Sequence, residues 1–346
     1  MTKLIEIKDK IFKFYGAYET YLKPALRFVV LMILFCIINN SIGFMKSIST
    51  FPVALILALI CCFLHERIII FVIGALVLVN LYALSFEVAL TAFLIFAVIY
   101  LLYFRFSPKD GMLLIMTPIL FKFHVPYLMP IASGLLKNAY SVMAVVCGTI
   151  AFYFVDGIYQ NVASLASSIV GGEEEATTKI TITIGQLLGN TEMYLMIAIS
   201  ILTAIVVYVV RRLSVDNAWK IAIVSGVLVQ ISGLAAGYLL FNISGKTLQM
   251  ILGNIVALII GFILEFLFMD LDYQRTERVQ FEDDDYYYFV KAVPKKMVTS
   301  SEKTIKHFGN TASLGKRVST PKTTMRTEDE RRIIAEELDF DEELLK

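Results

Sequence analysis

The sequence predicts an all-α polytopic integral membrane protein with about eight transmembrane helices, a central proline-broken re-entrant hairpin and a largely disordered cytoplasmic C-terminal tail. Three observations support this fold class. Of the 346 residues, 58% are hydrophobic and only 18% are charged, which is too apolar for an ordinary soluble domain. The charges are segregated along the chain, and apolar runs of nearly membrane-spanning length recur between Ala25 and Met269.

Residues 1–24 alternate charged and apolar side chains and lack the apolar core and cleavage site of a signal peptide. We expect this segment to be a cytoplasmic amphipathic lead-in that stays on the mature protein.

The transmembrane domain is predicted over residues 25–270. A helix that crosses a hydrocarbon core of about 30 Å needs roughly 20 mostly apolar residues. Eight segments meet or approach that length: Ala25–Phe44, Phe51–Leu64, Ile68–Leu84, Phe86–Tyr103, Ala139–Tyr159, Met193–Val210, Ile221–Phe241 and Leu248–Met269. The second segment is short and needs flanking residues or a locally thinner bilayer to span.

Basic residues in short loops orient these segments, because Lys and Arg are retained on the cytoplasmic side. With eight crossings, the basic loops and both termini fall on one side, and Lys46 and Lys246 are the exceptions. This pattern predicts a multi-pass protein of the cell membrane with cytoplasmic N- and C-termini.

Residues 160–192 then form the one substantial external loop. We expect a flexible acidic turn at Gly171–Glu175, while Lys179–Ile184 alternates polar and apolar residues in the manner of a strand. A single isolated strand is marginally stable at best, so a membrane-surface segment is predicted here.

Residues 111–136 begin and end on the cytoplasmic side in this arrangement, so they are expected to enter the membrane and return. Pro118, Pro126 and Pro130 each remove a backbone donor and disrupt a helix. In lipid the freed carbonyls are tolerated only where protein or a water-filled cavity satisfies them. We favour two half-helices that meet near Lys122–Pro126; the alternative is a pair of short, kinked full crossings.

Ionisable and amide side chains at membrane depth are candidates for a substrate path. Lys122 can neutralise an anionic substrate and His124 can relay protons, unless both reach the interface from a shallow hairpin. Asn80, Gln230 and Asn254 either contact substrate or hydrogen-bond neighbouring helices. The predicted path comprises Lys122, His124, Pro118, Pro126, Pro130, Asn80, Gln230 and Asn254.

Residues 271–346 form the predicted cytoplasmic tail, which contains a candidate partner-binding segment: Glu282, Asp283, Asp284, Asp285, Tyr286, Tyr287 and Tyr288. The acids can bind a basic partner or a cation, and Tyr286–Val290 can add a strand to a partner's sheet. The alternative is an extended cover over the cytoplasmic loops. Residues 291–326 have a composition typical of disorder, and 327–338 have the pattern of a short capped helix.

Four stretches of the chain resemble a family of polytopic membrane proteins from Gram-positive anaerobic bacteria, whose members are often given the generic label of ABC transporter permease. The stretches are RFSPKDG at 105–111, GNTEMYL at 189–195, RRLSVDNAW at 211–219 and DYQRTERVQFEDDDYYYFVKAVP at 272–294. The likeness covers nearly the whole chain. It implies a transport subunit whose ATPase is a separate chain.

Several functional classes lack support in the sequence. No GxSxG, HExxH or phosphate-loop motif is present, and the four cysteines lie in apolar runs without metal-site or disulfide spacing. We therefore expect no enzymatic activity, no cofactor and no metal. A net charge of +1 gives no indication of a nucleic-acid partner, and no pattern indicates an oligomeric state.

Two functions remain. The first is a permease-like protein that moves a solute across the lipid bilayer, as a subunit of a transport complex with a separate ATPase. The alternative is a non-enzymatic membrane scaffold or regulator that recruits a cytoplasmic or envelope protein through its tail.

Overall fold

A computed structural model of the protein describes residues 2–166, 173–213, 215–243, 245–269, 277–282 and 287–292. Its helices are α1 (Thr2–Ala17), α2 (Glu19–Ile42), α3 (Phe51–Cys61), α4 (Glu66–Leu84), α5 (Phe86–Phe106), α6 (Gly111–Lys122), α7 (Leu128–Leu136), α8 (Val142–Gln160), α9 (Val162–Ala166), α10 (Glu173–Leu188), α11 (Thr191–Val210), α12 (Ala218–Leu240) and α13 (Thr247–Phe268). A 3-10 turn at Ala139–Ser141 precedes α8, and the strands β1 (Glu277–Glu282) and β2 (Tyr287–Ala292) follow α13.

Within the described residues, seven helical stretches are long and apolar enough to cross a membrane: Glu19–Ile42, Glu66–Leu84, Phe86–Phe106, Ala139–Gln160, Thr177–Val210, Ala218–Leu240 and Thr247–Phe268. The protein therefore has the all-α, multi-pass character that its composition predicts. The predicted second span contains only α3, whose 11 residues rise about 16 Å, roughly half of a hydrocarbon core. Helix α2 begins at Glu19, so it includes the last residues of the predicted lead-in.

Polar contacts show how α2 and α4 run relative to each other. Arg27 on α2 lies 3.0 Å from Glu66 at the start of α4. At the far end of α4, Asn80 Oδ1 accepts hydrogen bonds from Ser49 Oγ at 2.9 Å and from the backbone N–H of Met45 at 3.4 Å. Helices α2 and α4 therefore run in the same direction, and α3 returns between them.

One end of the bundle carries the basic residues Arg105, Lys137 and Arg211, and we call it the basic end. Glu66 and Asp110 also lie there. Lys8 of α1 also lies at this end, because its Nζ donates to the carbonyl of Met269, just after α13, at 3.0 Å. The other end, where Asn80, Asp156 and Glu192 lie, is the opposite end.

The segment 111–136 leaves and re-enters the basic end. Asp110, immediately before α6, accepts a hydrogen bond from Ser141 Oγ at 2.6 Å and pairs with Lys137 Nζ at 3.1 Å. Helix α6 packs alongside α8 and α7 alongside α11. The helical structure is therefore interrupted at residues 123–127, and the start of α6 and the end of α7 both lie near Asp110.

The effect predicted for two of the prolines is wrong. Helix α6 continues through Pro118, and α7 contains Pro130 at its third position, where helical N–H groups lack an intrahelical acceptor anyway. The carbonyl that Pro118 leaves without a donor belongs to Leu114, and it lies against Gly148 of α8, where a Cβ atom would come within 2.9 Å of it. Of the three prolines, only Pro126 lies in the break.

The strand-like pattern in the external segment also misleads, because Lys179–Ile184 lies within α10 and Glu173–Glu175 begin that helix. Thr181 Oγ1 donates to the carbonyl of Thr177, and Thr183 Oγ1 to that of Lys179, each at 2.8 Å. Threonine hydroxyls bonded to their own helix behave as less polar groups, so alternation of Thr with Ile does not require a sheet.

The glycines of α12 serve packing within the chain. A Cβ at Gly226 would meet Val207 of α11, and one at Gly233 or Gly237 would meet Ile199 or Leu195 of the same helix. The small-residue spacing therefore brings α11 and α12 together.

In the tail, β1 and β2 pair antiparallel, with Glu282 opposite Tyr287 and Glu277 opposite Ala292. The extended conformation predicted for Tyr287–Val290 is present, but its partner is the chain's own β1. Asp283–Tyr286, the disorder predicted for 291–326 and the helix predicted for 327–338 lie outside the described residues, except for Lys291 and Ala292 of β2.

Candidate functional site

The break between α6 and α7 lies beside a cavity of about 420 Å³ near the opposite end of the bundle, within the size range of small-molecule sites. We call it the polar cavity. It is lined by Phe121, Lys122, His124, Pro126, Tyr127, Phe152, Tyr153, Asp156, Gln160, Asn190, Glu192, Met196, Tyr238, Lys246 and Gln249.

Backbone hydrogen bonds explain why α6 ends at this point. The N–H of Val125 donates to the carbonyl of Leu120 at 2.9 Å, and that of His124 donates to Phe121 at 3.0 Å. His124 has φ 60°, so it occupies the left-handed position at which helices commonly terminate in glycine, and Pro126 follows two residues later. The carbonyls of Leu120 and Phe121 in the last turn are therefore satisfied, and His124 lies at the tip of the hairpin.

Ion pairs and hydrogen bonds organise the mouth of the cavity. Lys246 pairs with Glu192 at 2.6 Å, and Gln249 Nε2 lies within hydrogen-bond distance of His124 Nδ1, at 2.6 Å. Each contact joins elements that are distant in sequence, so the mouth is set by the packing of α11 and α13 on the hairpin.

Lys122 and Asp156 carry the charges without an ionic partner among the described residues. Lys122 Nζ lies 5.9 Å from the centroid of the Tyr159 ring, a cation–π distance. Asp156 accepts a hydrogen bond from the neutral amide of Gln160 at 2.6 Å. Both charges are therefore available to a bound molecule.

Two predicted path residues, Gln230 and Asn254, are buried amides on α12 and α13, and Gln230 contacts the break directly. Gln230 Nε2 donates to the carbonyl of Tyr127 at 3.0 Å, which satisfies a backbone group in the break. Asn254 Nδ2 donates to Met250 at 2.9 Å. A Cβ at Gly261 of α13 would contact Ile223 of α12, so Gln230 and Asn254 lie at the same depth on these antiparallel helices. No described residue donates to the remaining amide oxygen of either side chain.

A second cavity of about 100 Å³ adjoins the first, and we call it the apolar chamber. It lies between α2, α4, α5, α6 and α8. Its lining is Leu34, Ile37, Ile38, Ser41, Ile70, Ile73, Gly74, Val77, Phe96, Ile99, Tyr100, Leu114, Ile115, Pro118, Lys122, Ala151, Phe152, Val155 and Asp156. Lys122, Phe152 and Asp156 line both cavities.

Arg211 binds the C-terminal end of α7. Its Nη2 donates to the carbonyl of Lys137 at 2.8 Å, and its Nη1 donates to the carbonyl of Leu135. Burial lowers the pKa of the Arg211 guanidinium from its usual value, and Arg212 beside it acts in the same direction. A cation at the C-terminal end of a helix satisfies carbonyls and opposes the negative end of the helix dipole.

Four of the eight residues of the predicted path line a cavity, whereas Pro130, Asn80, Gln230 and Asn254 line neither. Lys122, His124 and Pro126 line the polar cavity, Gln230 contacts the break, and Pro118 lines the apolar chamber. Asn80 is fully buried away from both cavities and anchors the loop between α2 and α3.

The substrate path predicted from the sequence does not include four residues of the polar cavity: Asp156, Glu192, Lys246 and Gln249. One signal was present, because Lys246 is a basic residue in a loop predicted to be external and therefore departs from the charge rule. In the structure it balances Glu192 at the cavity mouth.

Among the described residues, no group of three or more His, Cys, Asp or Glu side chains is arranged to hold a metal ion. No protein-family model, curated protein or solved structure matches the chain.

Proposed function

We propose that the protein is a permease-like membrane protein that moves a small solute through the polar cavity. One observation carries the proposal: a broken hairpin places Lys122 and His124 at the wall of a cavity among the helix ends. Discontinuous helices with ionisable groups at the break are a recurring design of transporter binding sites.

We assign the basic end of the protein to the cytoplasmic side of the membrane, because Lys and Arg are retained there. On this assignment the protein lies in the cell membrane, residues 111–136 are re-entrant, and both termini are cytoplasmic. The α3 region supplies an eighth, short crossing, and the polar cavity opens to the outside.

The tip of the hairpin closes the cavity toward the cytoplasm. Phe121 stacks on Phe152 with ring centroids 4.6 Å apart, and Gly253 of α13 lies against the ring of Tyr127. Movement of this tip is therefore the step that transport requires in a cavity accessible in turn from either side. The resemblance to permease-labelled proteins supports this function.

The test is flux through proteoliposomes that contain the full chain. Vesicles are loaded with a mixture of inorganic phosphate, amino acids, nucleotides and polyamines, and mass spectrometry identifies what leaves. We expect a double variant, Lys122→Gln with His124→Gly, to reduce the flux by about tenfold or more, because it removes the ammonium and the imidazole that we propose contact the solute, and a tenfold change corresponds to about 1.4 kcal/mol. The glycine retains the left-handed turn while removing the imidazole.

Lys220→Gln, an exposed lysine near the start of α12, is the matched control and should leave the flux unchanged. Equal flux in the double variant and the parent, or no flux above that of empty vesicles, contradicts the proposal.

A membrane scaffold is the second candidate, and the β1–β2 hairpin favours it. Within the described residues these strands form a two-stranded sheet, in which Tyr287 and Val290 are exposed. In a sheet of two strands each strand pairs with the other along one edge, and a strand from another protein can add to a sheet edge. Two results together would favour the scaffold. Deletion of residues 271–346 would remove copurifying proteins, and substitution of Lys122 and His124 would leave the flux unchanged.

A further inference from the structure

The charges that line the polar cavity indicate what kind of solute the site accepts, an inference that rests on the proposed function. We infer that the substrate is an α-amino acid with a short aliphatic side chain. Its carboxylate lies at Lys122, its ammonium lies at Asp156, and its side chain enters the apolar chamber.

Acids and bases balance in the lining of the polar cavity, where Lys122 and Lys246 stand against Asp156 and Glu192. Lys246 and Glu192 neutralise each other at the mouth, 2.6 Å apart. Lys122 and Asp156 have no ionic partner among the described residues. A solute with one anionic group, one cationic group and no net charge therefore matches the two charges that are left.

Lys122 and Asp156 are placed so that one small molecule can contact both. Each side chain lines both cavities. Lys122 Nζ lies 5.9 Å from the centroid of the Tyr159 ring, and Tyr159 follows Asp156 by three residues on α8, so these two side chains are neighbours on that helix. The lysine ammonium and the aspartate carboxylate therefore lie beside the same turn of α8. An α-amino acid has its two charged groups on one carbon atom, which suits this arrangement.

Solutes with fewer charges fit the site less well. A carboxylic acid that binds Lys122 lies beside the carboxylate of Asp156, and an amine that binds Asp156 lies beside the ammonium of Lys122. Such like-charge contacts disfavour binding. A neutral solute displaces water from both charges and supplies no opposite charge in return. The site therefore favours a molecule that carries both charged groups.

The apolar chamber limits the length of the side chain. Lys122, Phe152 and Asp156 line both cavities, so the α-carbon of an amino acid that is bound to the two charges lies where the chamber opens. The chamber measures about 100 Å³, and an apolar cavity of about 150 Å³ holds one benzene molecule. At that scale the chamber takes roughly four carbon atoms, which is the size of the leucine side chain.

The test is the binding of tritiated leucine to the full chain in phosphatidylcholine nanodiscs. We expect binding that unlabelled leucine displaces at about 1 mM or below. Isocaproic acid is leucine without its ammonium, and isoamylamine is leucine without its carboxylate. Each should compete at least about tenfold less well than leucine, because each leaves one charge of the site opposed by a like charge.

Two single substitutions should change which ligand competes best. Asp156→Asn leaves the Lys122 ammonium alone, so isocaproic acid should compete as well as leucine or better. Lys122→Gln leaves the Asp156 carboxylate alone, so isoamylamine should do so instead. Loss of folding would weaken all three ligands together, whereas loss of one charge shifts the order in opposite directions. Lys220→Gln, the exposed control, should keep the order of the parent protein.

A substitution in the chamber tests the position of the side chain. Ile37→Trp fills the chamber and should remove the advantage of leucine over glycine, whereas Ile33→Trp, at an exposed position of α2, should keep it. If Ile37→Trp lowers the melting temperature, Ile73→Trp on α4 fills the same chamber from another wall.

Equal competition by leucine, isocaproic acid and isoamylamine in the parent protein overturns the inference, and so does the absence of displaceable binding at about 1 mM leucine. The outcomes also separate it from the proposed function. Leucine binding without flux of any solute retains the amino-acid site and removes the transport function. Lys122-dependent flux of inorganic phosphate or polyamines without leucine binding retains transport and removes the amino acid.

Discussion

Gly134→Ala is expected to lower the free energy of unfolding by about 1–3 kcal/mol, the usual cost of overpacking a close contact. A Cβ at this position on α7 would lie 2.7 Å from the backbone carbonyl oxygen of Ala204 on α11. A backbone atom cannot rotate away as a side-chain terminus can, so the two helices must separate. The measurement is the melting temperature of the purified protein in detergent.

Gly148→Ala tests the other half-helix in the same way, because its Cβ would lie 2.7 Å from Thr117 Cβ on α6. Gly185→Ala on α10 is the matched control, since no atom lies within 4 Å of its added Cβ. A helix interior favours Ala over Gly by about 1 kcal/mol, so the control should be neutral or stabilising. Melting temperatures that rise equally in all three variants would contradict the close packing of the hairpin.

Arg211→Ala is the second substitution with a large expected effect. It removes two charge-assisted hydrogen bonds at the end of α7, each worth about 1.5–3 kcal/mol when made to a charged group. The carbonyl of Leu135 would lose this donor at a partly buried position, and that of Lys137 at an exposed one. Arg211→Lys should restore only part of the stability, because one ammonium does not reproduce the planar fork of a guanidinium.

Arg212→Ala is the control, because Arg212 stacks over the Tyr208 ring at 4.4 Å from its centroid and makes no described bond to α7. Thermal unfolding in detergent compares the set. If Arg211→Ala and Arg212→Ala destabilise the protein equally, then the hairpin does not depend on the Arg211 bonds.

The membrane class was predictable because it depends on composition and on the length of apolar runs, which packing does not alter. Charge counting also predicted that residues 111–136 start and finish at one end, and the contacts of Asp110 with Lys137 and Ser141 place them there. Composition, the length of apolar runs and the charge of loops do not depend on tertiary contacts, so they can be read from the sequence.

Exact helix ends were less predictable, because they depend on local hydrogen bonding. Pro118 was expected to break a helix, yet α6 passes through it with Gly148 packed against the freed carbonyl. His124 ends the helix in a left-handed conformation for which glycine is the usual sequence signal. The alternation at Lys179–Ile184 resembled that of a strand, although Thr181 and Thr183 bond their hydroxyls within α10.

The candidate site was predictable only for residues in the hairpin itself. Lys122 and His124 stand out as ionisable groups in an apolar segment. Asp156, Glu192 and Lys246 lie near the ends of other helices, where charged residues are ordinary. Their convergence on the hairpin tip depends on the packing of α8, α11 and α13, which no local pattern encodes.

The proposed topology requires the hairpin to enter and leave the membrane at one face, and labelling of single cysteines tests this directly. Lys109→Cys, Lys137→Cys and Lys246→Cys are treated with a membrane-impermeant maleimide in intact cells and in inverted vesicles. The native cysteines are buried or half-buried, so the parent protein supplies the background. We expect positions 109 and 137 to label only in inverted vesicles and position 246 only in intact cells. Labelling of positions 109 and 137 from opposite sides would contradict the hairpin, the topology and the proposed site together.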